Sequence, residues 1–360
     1  MSIPEGYSDR VRGLMLGGAI GDALGAPRRT ISAAPPPDLR DEESGASYLL
    51  WRGRRGAISE VTQLTLFTAE GIIRRYVRES LKGIPASAGV VTHAWNRWLA
   101  SQRVSSVGKQ PDNRDGWLWQ LREMHTQRTA DRCTIQVLKA TEPFASERSR
   151  NQHLDSGALM RVSPVVCTHP VNSGLEAAGR VYDFGREVSW TTHGHPDGYV
   201  PAAAFATVLY LTLWGAPIRD AIGQASTVLD RDDEADRTKV LLRCLASGES
   251  LDADAILRCT WDRPALRALS IALCCARDHA DFRWAVTRAL AYGFDTAVVG
   301  SLTGQLAGAV CGESGLPRPL IDSLELREVI TASADDLVGF LKWDWEQLES
   351  DETWTRYPGW

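Results

Sequence analysis

The run A-Y-G-F-D-T-A-V-V-G-S-L-T-G-Q-L-A-G-A-V-C-G, residues 291–312, decides the fold class. Gly300, Gly304, Gly308 and Gly312 recur every four residues among small and apolar neighbours. A four-residue step keeps these glycines near one helix face, so another backbone can come close. The run predicts a buried helix packed tightly along that face. Asp295 stands at its head, where a carboxylate suits the free N–H groups and the positive end of the helix dipole. It reads either as an N-cap or as the carboxylate of a site built at the helix entrance.

A neighbour for the glycine face is found near the N-terminus. Over residues 8–24, Val11, Leu14, Met15 and Gly18 follow helical spacing, and Leu16, Ile20 and Leu24 form a second apolar row. Two such rows predict a helix buried on more than one side, with Ser8 as its cap. Gly13, Gly17, Gly18, Gly21 and Gly25 would make this helix costly in isolation. Close packing against the 300–312 glycines is the expected compensation. Asp22 reads either as a structural carboxylate bonded to backbone or as a functional one.

Further helices are expected over 59–77, capped by Ser59, and over 84–98, 117–121, 134–140, 175–185, 201–214, 235–245 and 264–275. Residues 155–164, D-S-G-A-L-M-R-V-S-P, read as a glycine turn leading into a short apolar segment. Residues 27–56, with Pro35, Pro36 and Pro37 followed by acidic positions, read as a loop, either a flexible cover or a functional segment. Strand signals are scarce and no internal repeat is found. One all-α domain over residues 1–360 is the simplest architecture.

Composition narrows the function. The formal net charge of -5 leaves no basic footprint, so nucleic acid is not expected as a main partner. No apolar run is long enough to span a membrane, and the N-terminus lacks the pattern of a signal peptide. The seven cysteines form no C-x-x-C pair and sit mostly in apolar surroundings. They read as reduced thiols of a cytoplasmic protein.

Four stretches together resemble the ADP-ribosylglycohydrolase family, which includes dinitrogenase-reductase-activating glycohydrolase. They are G-L-M-L-G-G-A-I-G-D-A-L-G-A-P (13–27), S-E-V-T-Q-L-T-L (59–66), S-G-A-L-M-R-V-S-P (156–164) with T-H-G-H-P (192–196) behind it, and the glycine run itself. The resemblance implies an all-helical fold and cleavage of the N- or O-glycosidic bond between ADP-ribose and a side chain. It also implies two magnesium ions, held by a T-D-D-T motif on one helix and a D-x-D-T motif on another. Hard cations need such oxygen ligands.

This chain departs from both motifs. Ser59, Glu60, Val61 and Thr62 stand at the first, and Asp295, Thr296, Ala297 and Val298 at the second. Valine and alanine offer no ligand atom. Of these motif carboxylates only Glu60 and Asp295 remain, so two magnesium ions are not expected. A single ion would have to rely on Ser59, Glu60, Asp295 and water. Where some relatives place a catalytic glutamate, this chain has Arg28 and Arg29, which read as solvated charges or as contributors to a diphosphate pocket.

The ligand side is better kept. Ser156, Gly157, Met160, Arg161 and His193 are the expected ligand-binding residues there, with Gly157 offering backbone N–H to phosphate. Asp22, Thr62 and Thr296 complete the expected set. Arg161 reads equally as an internal anchor, and His193 as a satisfied structural histidine.

Two functions follow. The first is a hydrolase of altered, metal-independent chemistry, with Glu60 and Asp295 as catalytic carboxylates and an ADP-ribose-like compound, ribosylated small molecule or modified protein as substrate. The second is a non-catalytic relative that binds ADP-ribose or a protein partner in the same cleft.

Overall fold

A computed structural model describes residues 3–359 except 30–36, 38, 40–47, 86, 103–113, 129–130, 143, 169–173, 248–257, 259 and 279–280. The described residues form α1 (Tyr7–Gly25), α2 (Glu60–Lys82), α3 (Gly89–Ser101), α4 (Trp117–Gln120), α5 (Arg132–Ala140), α6 (Leu175–Trp190), α7 (Pro196–Leu213) and α8 (Ile218–Val228). There follow α9 (Asp236–Ala246), α10 (Pro264–Asp278), α11 (Phe282–Ala291), α12 (Thr296–Cys311), α13 (Arg318–Asp322), α14 (Arg327–Gly339), α15 (Trp345–Glu349) and α16 (Asp351–Arg356). Among the described residues the only β pairing is an isolated bridge between Trp51 and Arg54. The fold is all-α, as the sequence predicts. No described helix is long and apolar enough to cross a membrane.

The helices α1 and α12 run antiparallel with their backbones in contact. A Cβ on Gly13, Gly17 or Gly21 would overlap the carbonyl oxygen of Gly308, Gly304 or Gly300 respectively. The converse holds for each of the three α12 glycines. At the far end Gly25 lies on the Thr296 carbonyl, and the Thr296 hydroxyl donates to the Gly25 carbonyl at 2.7 Å. At the near end Asp9 accepts from the backbone N–H and the hydroxyl of Ser314 at 3.1 and 2.8 Å. Both four-residue glycine steps are thus spent on one seam, because only a residue without Cβ permits this approach. Around the seam a continuous apolar cluster extends from Tyr7 to Tyr357.

Asp22 leaves this seam to cap α2. Its carboxylate accepts from the Ser59 N–H (2.8 Å) and hydroxyl (2.5 Å) and from the Thr62 N–H (3.2 Å) and hydroxyl (2.6 Å). Those N–H groups lie at the helix start and have no intrahelical acceptor. Asp22 is fully buried, and the Thr62 hydroxyl is spent on its carboxylate. We expect Asp22→Ala to lower the unfolding free energy in urea by about 3 kcal/mol, since buried donors lose a charged acceptor.

Several boundaries differ from the sequence reading. Ser8 lies inside α1, whose N-cap is Gly6 in the left-handed region, φ 73°. The third helix begins at Gly89 rather than 84, because Pro85 disfavours helix at the residue before it. The helix expected from Pro201 begins at Pro196, which takes the first-turn position that suits proline, while Pro201 lies within α7. The expected cover over residues 27–56 lies largely outside the described residues.

Candidate active site

Five segments meet in a cleft of about 320 Å³. Arg29 comes from the turn after α1, Glu60 from the start of α2, Asp295 and Val298 from the start of α12. Asp155, Ser156, Gly157 and Met160 come from the glycine turn, and Asp131, Arg132 and Cys133 from the start of α5. The volume is that of a small-ligand pocket.

Asp295 does not act as a cap. Its backbone is left-handed, φ 35° and ψ 57°, and its side chain makes no capping bond. An aspartate tolerates this conformation better than most residues, at some cost in strain. The carboxylate bonds instead to Arg29 and Ser156. Arg29 donates to Asp295 Oδ1 from Nε at 2.9 Å and from the second terminal nitrogen at 2.6 Å. The Ser156 hydroxyl donates to Asp295 Oδ2 at 2.9 Å. The remaining terminal nitrogen of Arg29 donates to Glu60 Oε1 at 2.6 Å. One guanidinium thus bridges both surviving motif carboxylates.

The trio holds one cation and two carboxyl groups, and burial favours neutralising one of the latter. Glu60 is the more secluded, its side chain 4% exposed against 26% for Asp295. Burial pushes Glu60 up to about 7, against the pull of Arg29. Its Oε2 is buried and has no hydrogen-bond partner, which leaves room for a proton there. Burial alone would pull Arg29 down, but Asp295 and Glu60 outweigh it and hold the guanidinium charged.

The ligand-side residues divide. Ser156, Gly157 and Met160 line the cleft. The Gly157 N–H already donates to Asp155 Oδ1 at 3.0 Å, so the expected phosphate donor is engaged. Arg161 is turned inward and buried. It donates to the Thr134 hydroxyl, the Gly157 carbonyl and the Thr192 hydroxyl, and stacks on Trp95 at 4.1 Å. His193 is also fully buried, held between Thr192 and Asp155. The Thr296 hydroxyl points to the α1 backbone rather than to the cleft. Arg28 folds back onto the Leu24 carbonyl at 2.5 Å.

Sequence reasoning missed Asp131, Arg132, Cys133 and Asp155. Asp155 had a signal, since it opens the quoted glycine turn. The α5 residues had none, because α5 reaches the cleft only through tertiary packing.

The ADP-ribosylglycohydrolase family model matches residues 4–346, and the chain belongs to that family. A solved structure described as an ADP-ribosylglycohydrolase-related protein complex is 20% identical, with a TM-score of 0.63 over 94% of this chain and 99% of its own. That likeness shows the fold. No curated protein matches the chain. The family's activity is hydrolysis of the ADP-ribosylglycohydrolase type on ADP-ribosylated substrates, and its members are usually magnesium-dependent.

The donor set here does not fit a two-magnesium centre. Val61, Ala297 and Val298 are buried and offer no oxygen. The Ser59 and Thr62 hydroxyls are committed to Asp22, and that of Thr296 to Gly25. The two carboxylates are already bridged by Arg29, which a single ion held by Glu60 and Asp295 would have to displace.

Proposed function

We propose that this cleft hydrolyses a glycosidic bond of ADP-ribose or a related ribosylated compound without the family's two magnesium ions. The observation that carries the reading is the Arg29 bridge between Glu60 and Asp295. The guanidinium supplies the fixed positive charge that organises the carboxylates. The environments of the two carboxyl groups differ in the manner of acid and stabiliser pairs in glycosidases. Glu60, protonated near neutrality, gives its proton to the leaving nitrogen or oxygen as the bond to the anomeric carbon breaks. The Asp295 carboxylate stabilises the positive charge that develops on the ribose. Water then bonds to the anomeric carbon and returns a proton to Glu60. Arg132, an exposed cation of the cleft lining, is the group placed to meet a diphosphate.

A second reading is supported by the same bridge. A guanidinium that ties down both carboxylates also suits a cleft that binds ADP-ribose without turnover. Incubation with ADP-ribosylated and simple ribosylated compounds, with and without EDTA and added magnesium, separates the two. Release of ribose species that is insensitive to EDTA and lost in Glu60→Gln and Asp295→Asn is expected. Tight ligand binding with no turnover of any substrate would establish the binder instead.

The acid role carries a pH signature. The rate is expected to fall as pH rises through about 7, where Glu60 loses its proton. Glu60→Gln should remove that limb and slow turnover by about 10²- to 10⁴-fold, the usual worth of a general acid. A pH–rate profile of both proteins checks this, and an unchanged limb in Glu60→Gln would assign it elsewhere.

A further inference from the structure

We propose that Cys133, His153 and Asp155 form a transition-metal site at the cleft wall, selective for a zinc-class divalent ion. Their donor atoms (one sulfur, one imidazole nitrogen and one carboxylate oxygen) all lie within 4.8 Å of one another. The site shares no residue with the Arg29–Glu60–Asp295 trio and does not depend on the reading of that trio as a hydrolase.

Three observations carry it. The first is the donor chemistry. Thiolate and imidazole favour zinc and its neighbours, whereas magnesium and calcium take oxygen ligands. The second is the support behind Asp155. Its Oδ1 accepts from the Gly157 N–H at 3.0 Å and meets His193 Nε2 at 3.0 Å, while His193 Nδ1 meets the Thr192 hydroxyl at 2.9 Å. A ligating carboxylate held by such outer partners is the usual arrangement around a metal. The third is readiness to move. Cys133, His153 and Asp155 are all half-buried, and no hydrogen bond to the His153 ring occurs among the described residues. A tetrahedral ion would hold the donors about 3.5 Å apart, given metal–ligand distances near 2.0–2.3 Å. Rotation of the partly exposed Cys133 and His153 side chains toward the held Asp155 can supply that contraction.

Three protein ligands leave a tetrahedral ion one open position, the arrangement of zinc sites that bind water or substrate. Cys133 and Asp155 line the cleft, so that position would face whatever occupies it. An anionic oxygen, such as one of a diphosphate, is the ligand class such an ion would take.

Cobalt(II) titration of the reduced full-length chain at neutral pH tests the site, with zinc as competitor. Expected is one saturating equivalent with thiolate-to-cobalt charge-transfer absorption, displaced by zinc. Cys133→Ser should abolish that absorption, and His153→Ala should weaken binding by at least about tenfold. Glu60→Gln should titrate as the wild type does, which separates this site from the proposed hydrolytic one. A wild-type protein without the charge-transfer band overturns the proposal, whatever the variants do. So does a band that persists in Cys133→Ser, or His153→Ala binding equal to that of the wild type.

Discussion

Gly21→Ala is expected to destabilise the protein by more than about 3 kcal/mol, beyond the usual range for an overpacked core. In an ordinary helix interior the same exchange stabilises by about 1 kcal/mol, because glycine has the greater freedom to lose. The sign reverses here because the new methyl would overlap the Gly300 carbonyl oxygen of α12. Backbone cannot yield as a flexible side chain can, so the two helices must separate along a seam that also holds Gly13, Gly17 and Gly25. Gly223 in α8 provides the control. A Cβ there meets nothing nearer than the Ala246 methyl at 3.6 Å, an ordinary contact. Gly223→Ala should therefore raise stability by up to about 1 kcal/mol. Urea unfolding midpoints of the two variants decide the matter. Shifts in the same direction would mean that the α1–α12 seam is not the tight element described.

Arg29→Ala is expected to cost about 3–5 kcal/mol at pH 8, as when one partner is removed from a buried ion pair. Two carboxyl groups would then face one another with no cation between them. Arg29→Lys should recover little, since one ammonium cannot reproduce three N–H bonds from a planar fork. The loss should shrink on acidification. Glu60 in the folded protein sits near 7, above its ordinary value of 4.5. A carboxyl raised on folding contributes stability that is complete below its unfolded value and lost as pH rises through its folded one. Removing Arg29 takes away the group that opposes this rise, so the variant should lose most above pH 7 and least near pH 5. Unfolding curves at the two pH values check the prediction. A loss that is equal at both would place the cost in packing rather than in charge.

The seam was legible because it depends on local spacing. Two four-residue glycine steps predict close contact, and the pairing of α1 with α12 follows from their being the two glycine-stepped helices. The cap of α2 was half legible. Ser59 is the N-cap that the sequence predicts, accepting from the Val61 N–H at 3.2 Å, but the carboxylate above it comes from Asp22, 37 positions earlier. The left-handed turn at Asp295 could not be read, because an aspartate before a helix usually caps it. Arg29 was visible only as a charge next to a pocket. Its partners are 31 and 266 residues away, and no periodicity reports such reach. Arg161 was legible in both of its readings. A family motif suggested a ligand contact, whereas burial against Trp95 makes the same guanidinium an internal anchor.

We propose that the Arg29 guanidinium, between Glu60 and Asp295, takes the place of the family's magnesium ions. Isothermal titration of magnesium into the wild-type protein at neutral pH, with Asp295→Asn alongside, tests it most directly. No saturable magnesium heat is expected in either protein. Saturable magnesium binding to the wild type that disappears in Asp295→Asn would contradict it.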